Sequence, residues 1–220
     1  MDATAPIPEA RRAESAQFLP GMTSWLATTP FVRELRGFEK ISGLPRCLFV
    51  ANHVSLLDAV TLGGLFTRHG LGPILILADK STWDTSWVRR WLSGAFAFRV
   101  ERGKINPSRI KELQAFGSAA EGYHLLVFPE GTRGNGVDVA ECQPGIFYIA
   151  QAAKVPIVPI FFENMQLVST KTGKFQLVGG LQKVIIHFGE AITPENYLSL
   201  SREEFPEFIR KKILGAQKQS

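Results

Sequence analysis

Six short apolar runs, near 46–51, 73–78, 96–100, 124–128, 156–162 and 184–188, alternate with helical patterns near 55–68, 84–93, 108–121 and 145–153. Runs this short suit buried strands, and helices between them point to an α/β chain. The late run near 184–188 predicts a mixed, mostly parallel sheet flanked by helices. Pro107 suits the first turn of a helix, because proline has no N–H to lose there. Ser201-Arg202-Glu203-Glu204 has the spacing of a capping box and opens a terminal helix reaching about Leu214. No internal repeat or linker divides the chain. It reads as a single domain over residues 16–220, with residues 1–15, rich in Ala, Pro and charge, expected to be loose.

The chemistry gathers at the ends of two of these runs. Arg46-Cys47-Leu48-Phe49-Val50-Ala51 is followed by Asn52-His53-Val54-Ser55-Leu56-Leu57-Asp58. Ser55 can cap the next helix, which places His53 before the cap. Residues five apart on a helix lie about 140° from each other, so His53 meets Asp58 only by folding back from outside it. In that arrangement Asp58 accepts from one ring nitrogen and leaves the other free to take a proton. With four histidines in 220 residues, His-x4-Asp alone is weak. The bland alternative is a histidine in a buried turn and an aspartate favoured by the helix dipole.

The second run, Tyr123 to Phe128, stops at Pro129 and leads into Glu130-Gly131-Thr132-Arg133. Gly131 permits a reversal with positive φ that turns Thr132 and Arg133 to one side. A guanidinium can grip a phosphate, and a histidine can deprotonate a hydroxyl. Strand ends carrying such groups are where α/β sheets gather their ligands.

Asn52-His53-x-Ser55-x-x-Asp58 and Phe128-Pro129-Glu130-Gly131-Thr132-Arg133, in this order, resemble the blocks of the glycerophospholipid acyltransferase family. Gly94 through Arg102 and Val155-Pro156-Ile157-Val158-Pro159-Ile160 stand where that family has its second and fourth blocks. The resemblance runs from about Leu44 to Phe161. It implies transfer of a fatty acyl group from acyl-CoA or acyl-carrier protein to a lysophospholipid hydroxyl, with 1-acyl-glycerol-3-phosphate the first expectation. Glycerol-3-phosphate or another lysophospholipid are the alternatives. It further implies His53 as base, Asp58 as its partner, and Arg102, Glu130, Gly131, Thr132 and Arg133 in substrate binding. Glu130 either orients Arg133 or bonds the acceptor. Two arginines, Arg99 and Arg102, stand in the second block, and Arg102 is preferred because Gly103 follows it. Relatives often carry a lysine after the third block, whereas this chain reads Glu141-Cys142-Gln143-Pro144-Gly145. No metal or cofactor enters the chemistry the family implies. A lipid hydrolase built on Ser55, or a lipid-binding protein without activity, are the readings from other classes.

A formal charge of +5 fits an anionic membrane surface, an acidic carrier protein or phosphate groups. Nucleic acid is not expected, since no binding motif accompanies the charge. Cys47 reads as a core residue and Cys142 as a free thiol in a polar loop, with no disulfide framework. No run approaches the roughly 18 apolar residues of a spanning helix, and no secretory signal is seen. A peripheral protein on the cytoplasmic face of a membrane is therefore expected. Trp83, Trp87, Val88, Trp91 and Leu92 would form one apolar stripe beside Arg89 and Arg90, suited to a bilayer interface or to the core. A second candidate anchor spans Met22 to Leu26 and continues at Phe31.

Overall fold

The computed structural model describes residues 8–79, 97–100, 107–118, 123–170 and 174–218. In chain order the elements are α1 (Pro8–Thr28), β1 (Val32–Arg36), β2 (Leu48–Ala51), α2 (Leu56–His69), β3 (Ile74–Asp79), β4 (Ala97–Val100), α3 (Pro107–Ser118), β5 (His124–Val127), α4 (Gly145–Ala153), β6 (Ile157–Glu163), a short α5 (Leu177–Gly180), β7 (Val184–Phe188) and α6 (Glu204–Ala216). The seven strands form one sheet in the order β1-β7-β6-β2-β5-β3-β4. Every neighbouring pair is parallel except β6 and β7. The mixed, mostly parallel sheet expected from the sequence is thus present.

Helices cover both faces, so the central strands bury alternate residues in two separate cores. Leu48, Val50, Leu125, Val127, Ile157 and Phe161 pack with residues of α3, α4 and α6. Phe49, Ala51, Leu126, Val158, Ile160 and Phe162 pack on the other face with Leu62, Leu65 and Phe66 of α2. All residues of β2 and β7 are buried, which is why these runs are apolar except at His187, which pairs with Glu163. At α6 the Glu204 N–H donates to Ser201 Oγ while the Ser201 N–H donates to Glu204 Oε2, the reciprocal cap the sequence predicts. Helix α3 begins at Pro107 as expected.

Three elements lie beyond the sequence reading: β1, α1 and the short α5. Strand β1 pairs in parallel with β7 at the sheet edge, where Arg33 and Glu34 stay exposed and no apolar period betrays the strand. Helix α1 starts at Pro8, inside the stretch expected to be loose, and runs through Pro20 and Gly21. An interior proline costs a helix about 3 kcal/mol, so tertiary packing must hold α1 together. It packs along α2, and a β-carbon at Gly21 would collide with the Thr67 side chain, as one at Gly64 would press on the Trp25 backbone. The Gln17 amide pairs with both backbone groups of Ile74, fastening α1 to the start of β3. The Thr23 hydroxyl meets the carbonyls of Leu19 and Pro20.

Cys47 is buried as expected, but Cys142 is buried too, not an open loop thiol. The loop folds back into the core beside Val139 and Ile146, and burial pushes both thiols up to about 12. The expected helix near 84–93, its tryptophan stripe and Arg102 lie outside the described residues.

Candidate active site

Strand β2 ends at Ala51, and Asn52 continues its pairing with a side chain. Asn52 Oδ1 accepts from the Phe162 N–H at 2.7 Å and Nδ2 donates to the Phe162 carbonyl at 3.1 Å. The amide takes over the ladder to β6, which lets the main chain leave the sheet at His53. His53 then lies before the Ser55 cap of α2, where the Leu57 N–H donates to Ser55 Oγ.

Asp58 Oδ2 collects three bonds: from the Val54 N–H at 2.6 Å, the Ser55 N–H at 2.9 Å and His53 Nδ1 at 2.9 Å. Asp58 is fully buried, whereas the His53 side chain keeps 18 % of its surface. An oxygen already accepting from two backbone amides is an acceptor for the ring as well. That fixes the proton on Nδ1 and leaves Nε2 as the basic nitrogen. Among the described residues Nε2 has no hydrogen-bond partner.

Strand β5 runs parallel beside β2, so its end delivers the second motif to the same edge. The Phe128 ring stacks on the His53 imidazole, with centroids 4.1 Å apart and planes 22° from parallel. Gly131 has φ +67°, the left-handed conformation expected at this turn, and its N–H donates to the Phe128 carbonyl. Glu130 turns inward, only 3 % exposed. Its Oε1 accepts from the His53 N–H at 2.7 Å and its Oε2 from the Ala140 N–H at 2.9 Å. The Gly134 N–H donates to the His53 carbonyl at 2.6 Å. Both backbone groups of His53 are therefore held by the second motif and the glycine that follows it. Burial raises the Glu130 carboxyl above its ordinary range, opposed by the amides of His53 and Ala140.

Of the residues singled out from sequence, His53, Asp58, Glu130, Gly131, Thr132 and Arg133 come together at this edge, and Arg102 lies outside the described residues. Thr132 is exposed and Arg133 half-buried, and among the described residues Arg133 has no ion-pair partner. Glu130 bonds neither Arg133 nor open space; it braces the His53 backbone. Asn52, Phe128 and Gly134 also shape the site. Asn52 and Phe128 sit inside the two motifs, but their contacts depend on which strands are neighbours, which the motifs alone do not state.

The other histidines are occupied elsewhere. His124 is half-buried at the start of β5, its Nδ1 accepting from the Cys47 N–H and its Nε2 facing the Leu71 carbonyl, and loss of solvent around the ring lowers its pKa. His187 is buried on β7 against Glu163. His69 lies at the last turn of α2, between the rings of Trp25 and Phe38. Among the described residues no group of three or more His, Cys, Asp or Glu is placed to hold a metal ion.

Beside the Glu130 turn lies a cavity of about 570 Å³, lined by Glu130, Gly134, Asn135, Asp138, Val139, Ala140, Gln166 and Thr170. Six of these residues, Glu130 to Ala140, come from the loop after β5, and Gln166 and Thr170 come from the segment that follows β6.

An α/β sheet with a histidine–carboxylate pair at the carboxyl ends of its parallel strands defines an enzyme of the α/β class. The family model described as Acyltransferase matches residues 32–163, and the chain belongs to that acyltransferase family. It is 27% identical over 191 residues to the 1-acyl-sn-glycerol-3-phosphate acyltransferase of Saccharomyces cerevisiae, covering 83% of this chain and 59% of that protein. It is 28% identical over 159 residues to the Bacillus subtilis protein of the same name, covering 71% of this chain and 72% of that one. The fold is similar to the crystal structure of the 1-acyl-sn-glycerophosphate acyltransferase from Thermotoga maritima, with a TM-score of 0.67 at 19% identity, covering 92% of this chain and 79% of that chain.

Proposed function

We propose that this acyltransferase moves a fatty acyl group from acyl-CoA or acyl-carrier protein to the free hydroxyl of 1-acyl-glycerol-3-phosphate, giving phosphatidic acid. The observation that carries the reading is the His53–Asp58 pair, with Nδ1 tied down and Nε2 free at the strand edge. An alcohol is a poor nucleophile at neutral pH. His53 Nε2 removes the hydroxyl proton as the oxygen attacks the thioester carbonyl. Asp58 stabilises the imidazolium that forms. The tetrahedral intermediate collapses with loss of the C–S bond, and the imidazolium returns its proton to the leaving thiolate. Glu130 acts as a positioning residue, because its contacts are to the His53 and Ala140 backbone. The names of the yeast and Bacillus relatives support the acceptor.

A serine hydrolase on the same residues is disfavoured by Ser55 itself, which is fully buried and whose Oγ caps α2. The deciding assay incubates the protein with an acyl thioester, with and without acceptor, and follows free thiol and lipid product. Thiol release that depends on lysophosphatidate supports transfer; equal release without acceptor supports a hydrolase.

Arg133, unpaired among the described residues and carried by the Gly131 turn, is the proposed phosphate grip, with Arg102 as its partner. Two parallel bonds from a guanidinium carry geometry that an ammonium lacks. Arg133→Lys is expected to raise the acceptor KM about tenfold and Arg133→Ala about a hundredfold, the range lost with charge-assisted bonds. The donor KM should stay within about twofold in both by the same argument. Unchanged acceptor kinetics in Arg133→Ala would remove this residue from the site.

A membrane surface is the proposed partner, and α1 supports it. Its packed side carries Gln17, Gly21, Ser24 and Thr28, while Phe18, Leu19 and Leu26 on the outer side are 66%, 67% and 69% exposed. Small and polar residues toward the protein with large apolar residues outward suit an interfacial helix. No described helix is long and apolar enough to cross a membrane. Phe31, part of the alternative anchor, is instead buried in the core. Changing Phe18, Leu19 and Leu26 together to serine should weaken flotation with anionic vesicles about tenfold or more, given roughly 1.5–3 kcal/mol for each large side chain buried. Thermal stability should hold, because these side chains contact solvent. Undiminished flotation would assign attachment to another segment.

A further inference from the structure

Among the described residues, seven large apolar side chains stand exposed: Phe18, Leu19 and Leu26 on α1, and Val137, Leu167, Phe175 and Leu181 outside it. Single exposed apolar residues are ordinary, but these last four share one place in the fold. The loop carrying Val137 follows β5, and Leu167, Phe175 and Leu181 all lie between β6 and β7. Strands β5 and β6 run parallel to β2, so they end at the edge where His53 leaves the sheet. Strand β7 runs antiparallel to β6, with Ile185 opposite Glu163, so it begins at that same edge. All four side chains therefore belong to the catalytic edge.

Close contacts tie them to the site and to α1. A β-carbon at Gly136 would press on both Val54 and Gln166, which sets Val137 and Leu167 beside the turn that carries His53. Further along the edge, the Gln182 N–H donates to the Pro30 carbonyl and the Lys183 N–H to the Phe31 carbonyl. The Phe175 ring meets the Phe31 ring edge-on. Segment 164–183 is thus fastened to the chain just past α1. Helix α1 itself runs toward this edge, from Gln17 beside the start of β3 to Phe31 ahead of β1, which begins level with β7.

The charge of this segment selects the partner. Between Asn164 and Lys183 the sequence holds three lysines, Lys171, Lys174 and Lys183, and no Asp or Glu. Lys174 and Lys183 are exposed, within two residues of Phe175 and Leu181 respectively. Asp138, the carboxylate next to Val137, is met by Arg210. Large apolar side chains interspersed with lysines suit the boundary of an anionic bilayer. The apolar groups enter the acyl region while the ammonium groups stay at the head groups.

We infer that the catalytic edge itself lies on an anionic bilayer, with segment 164–183 and Val137 as a second lipid-contacting surface that joins the outer side of α1 near Leu26. This orientation rests on the membrane reading made above and extends it from one helix to the site. A lysophospholipid keeps its acyl chain in the bilayer and its hydroxyl at the surface. An edge that faces the bilayer brings His53 Nε2 to that hydroxyl without drawing the chain into water, which costs free energy for every CH₂ exposed. With α1 as the sole anchor, the helix would lie flat on the lipid and the edge would point along the surface.

The test uses four single variants, Val137→Cys, Leu181→Cys, Phe18→Cys and Ser42→Cys, each labelled with a polarity-sensitive fluorophore and mixed with vesicles of phosphatidylcholine and phosphatidylglycerol. Ser42 is exposed at the opposite edge, past the end of β1. Cys47 and Cys142 are buried, so the introduced thiol is the one that reacts. The Val137→Cys and Leu181→Cys labels should shift to the blue and be quenched by spin-labelled lipid, while the Ser42→Cys label stays in water. The double variant Phe175→Ser, Leu181→Ser should lower transfer to vesicle-borne lysophosphatidate about tenfold, with transfer to a short-chain lysophosphatidate dissolved as monomer held within about twofold. If the two edge labels stay in water while the Phe18→Cys label enters lipid, the bilayer is confined to α1 and the inference alone is overturned. Entry at no position would take down the membrane reading with it. Edge labels that respond to an acidic acyl-carrier protein instead of vesicles would make this a protein-docking surface, and equal losses on both acceptors would make Phe175 and Leu181 merely structural; each overturns the inference.

Discussion

Replacing His53 by alanine is expected to lower acyl transfer by about 10³-fold, within the range that a positioned general base contributes. The fold should survive, because the ring keeps part of its surface in solvent and the backbone carries the anchoring bonds. The His53 N–H to Glu130 and the His53 carbonyl to Gly134 remain available to alanine. The main structural losses are the stacking on Phe128 and one of the three bonds to Asp58. These together should cost about 1–3 kcal/mol of stability. The check is turnover with saturating donor and acceptor, alongside thermal unfolding of the same preparation. Turnover near the wild-type rate in a folded variant would end the general-base mechanism. Binding of lysophosphatidate should persist, since the proposed phosphate grip at Arg133 lies on the other motif.

That separation between base and backbone clamp was only half legible in the sequence. The two motifs name His53, Asp58 and Arg133, and the apolar runs flanking them name the strands. Those runs are readable because β2 and β6 are covered on both faces, which forces nearly every position to be apolar. Strand β1 gives no such signal, since Arg33 and Glu34 of an edge strand can stay in water. Helix α1 fails for another reason: its packed side is polar and small, the reverse of the usual stripe, and Pro20 stands inside it. Glu130 illustrates a limit of motif reading. Its place next to Gly131 suggests a partner for Arg133, yet the turn directs it inward to amides 77 and 10 residues away. Only the β2–β5 adjacency and the path of the following loop reveal that role. Cys142 is misread for a similar reason, because a loop polar in composition still plants one small side chain in the core.

Asp58→Asn is expected to damage both chemistry and fold, and the asymmetry of the carboxylate explains why. Oδ2 carries all three bonds, while Oδ1 is buried with no hydrogen-bond partner among the described residues. An asparagine that keeps its oxygen toward Val54, Ser55 and His53 must put its NH₂ group where Oδ1 was, as a buried donor without an acceptor. The reversed orientation sets that group against the two backbone N–H donors. Either way the substitution should destabilise the protein by about 2–4 kcal/mol, from one unsatisfied buried group and the weakening of charge-assisted bonds. Catalysis should fall further than stability alone explains. A neutral amide cannot stabilise the imidazolium, and the reversed orientation would favour the tautomer with its proton on Nε2. Loss of about 10³- to 10⁴-fold in kcat is expected, comparable to His53→Ala, because both remove the same proton acceptor. The measurement that separates the two effects is kcat at a temperature well below the unfolding midpoint, set beside the His53→Ala, Asp58→Asn double variant. If the pair acts as one unit, the double variant should be scarcely slower than either single one. Independent, multiplying losses would show that Asp58 acts through the α2 cap and the loop rather than through the ring of His53.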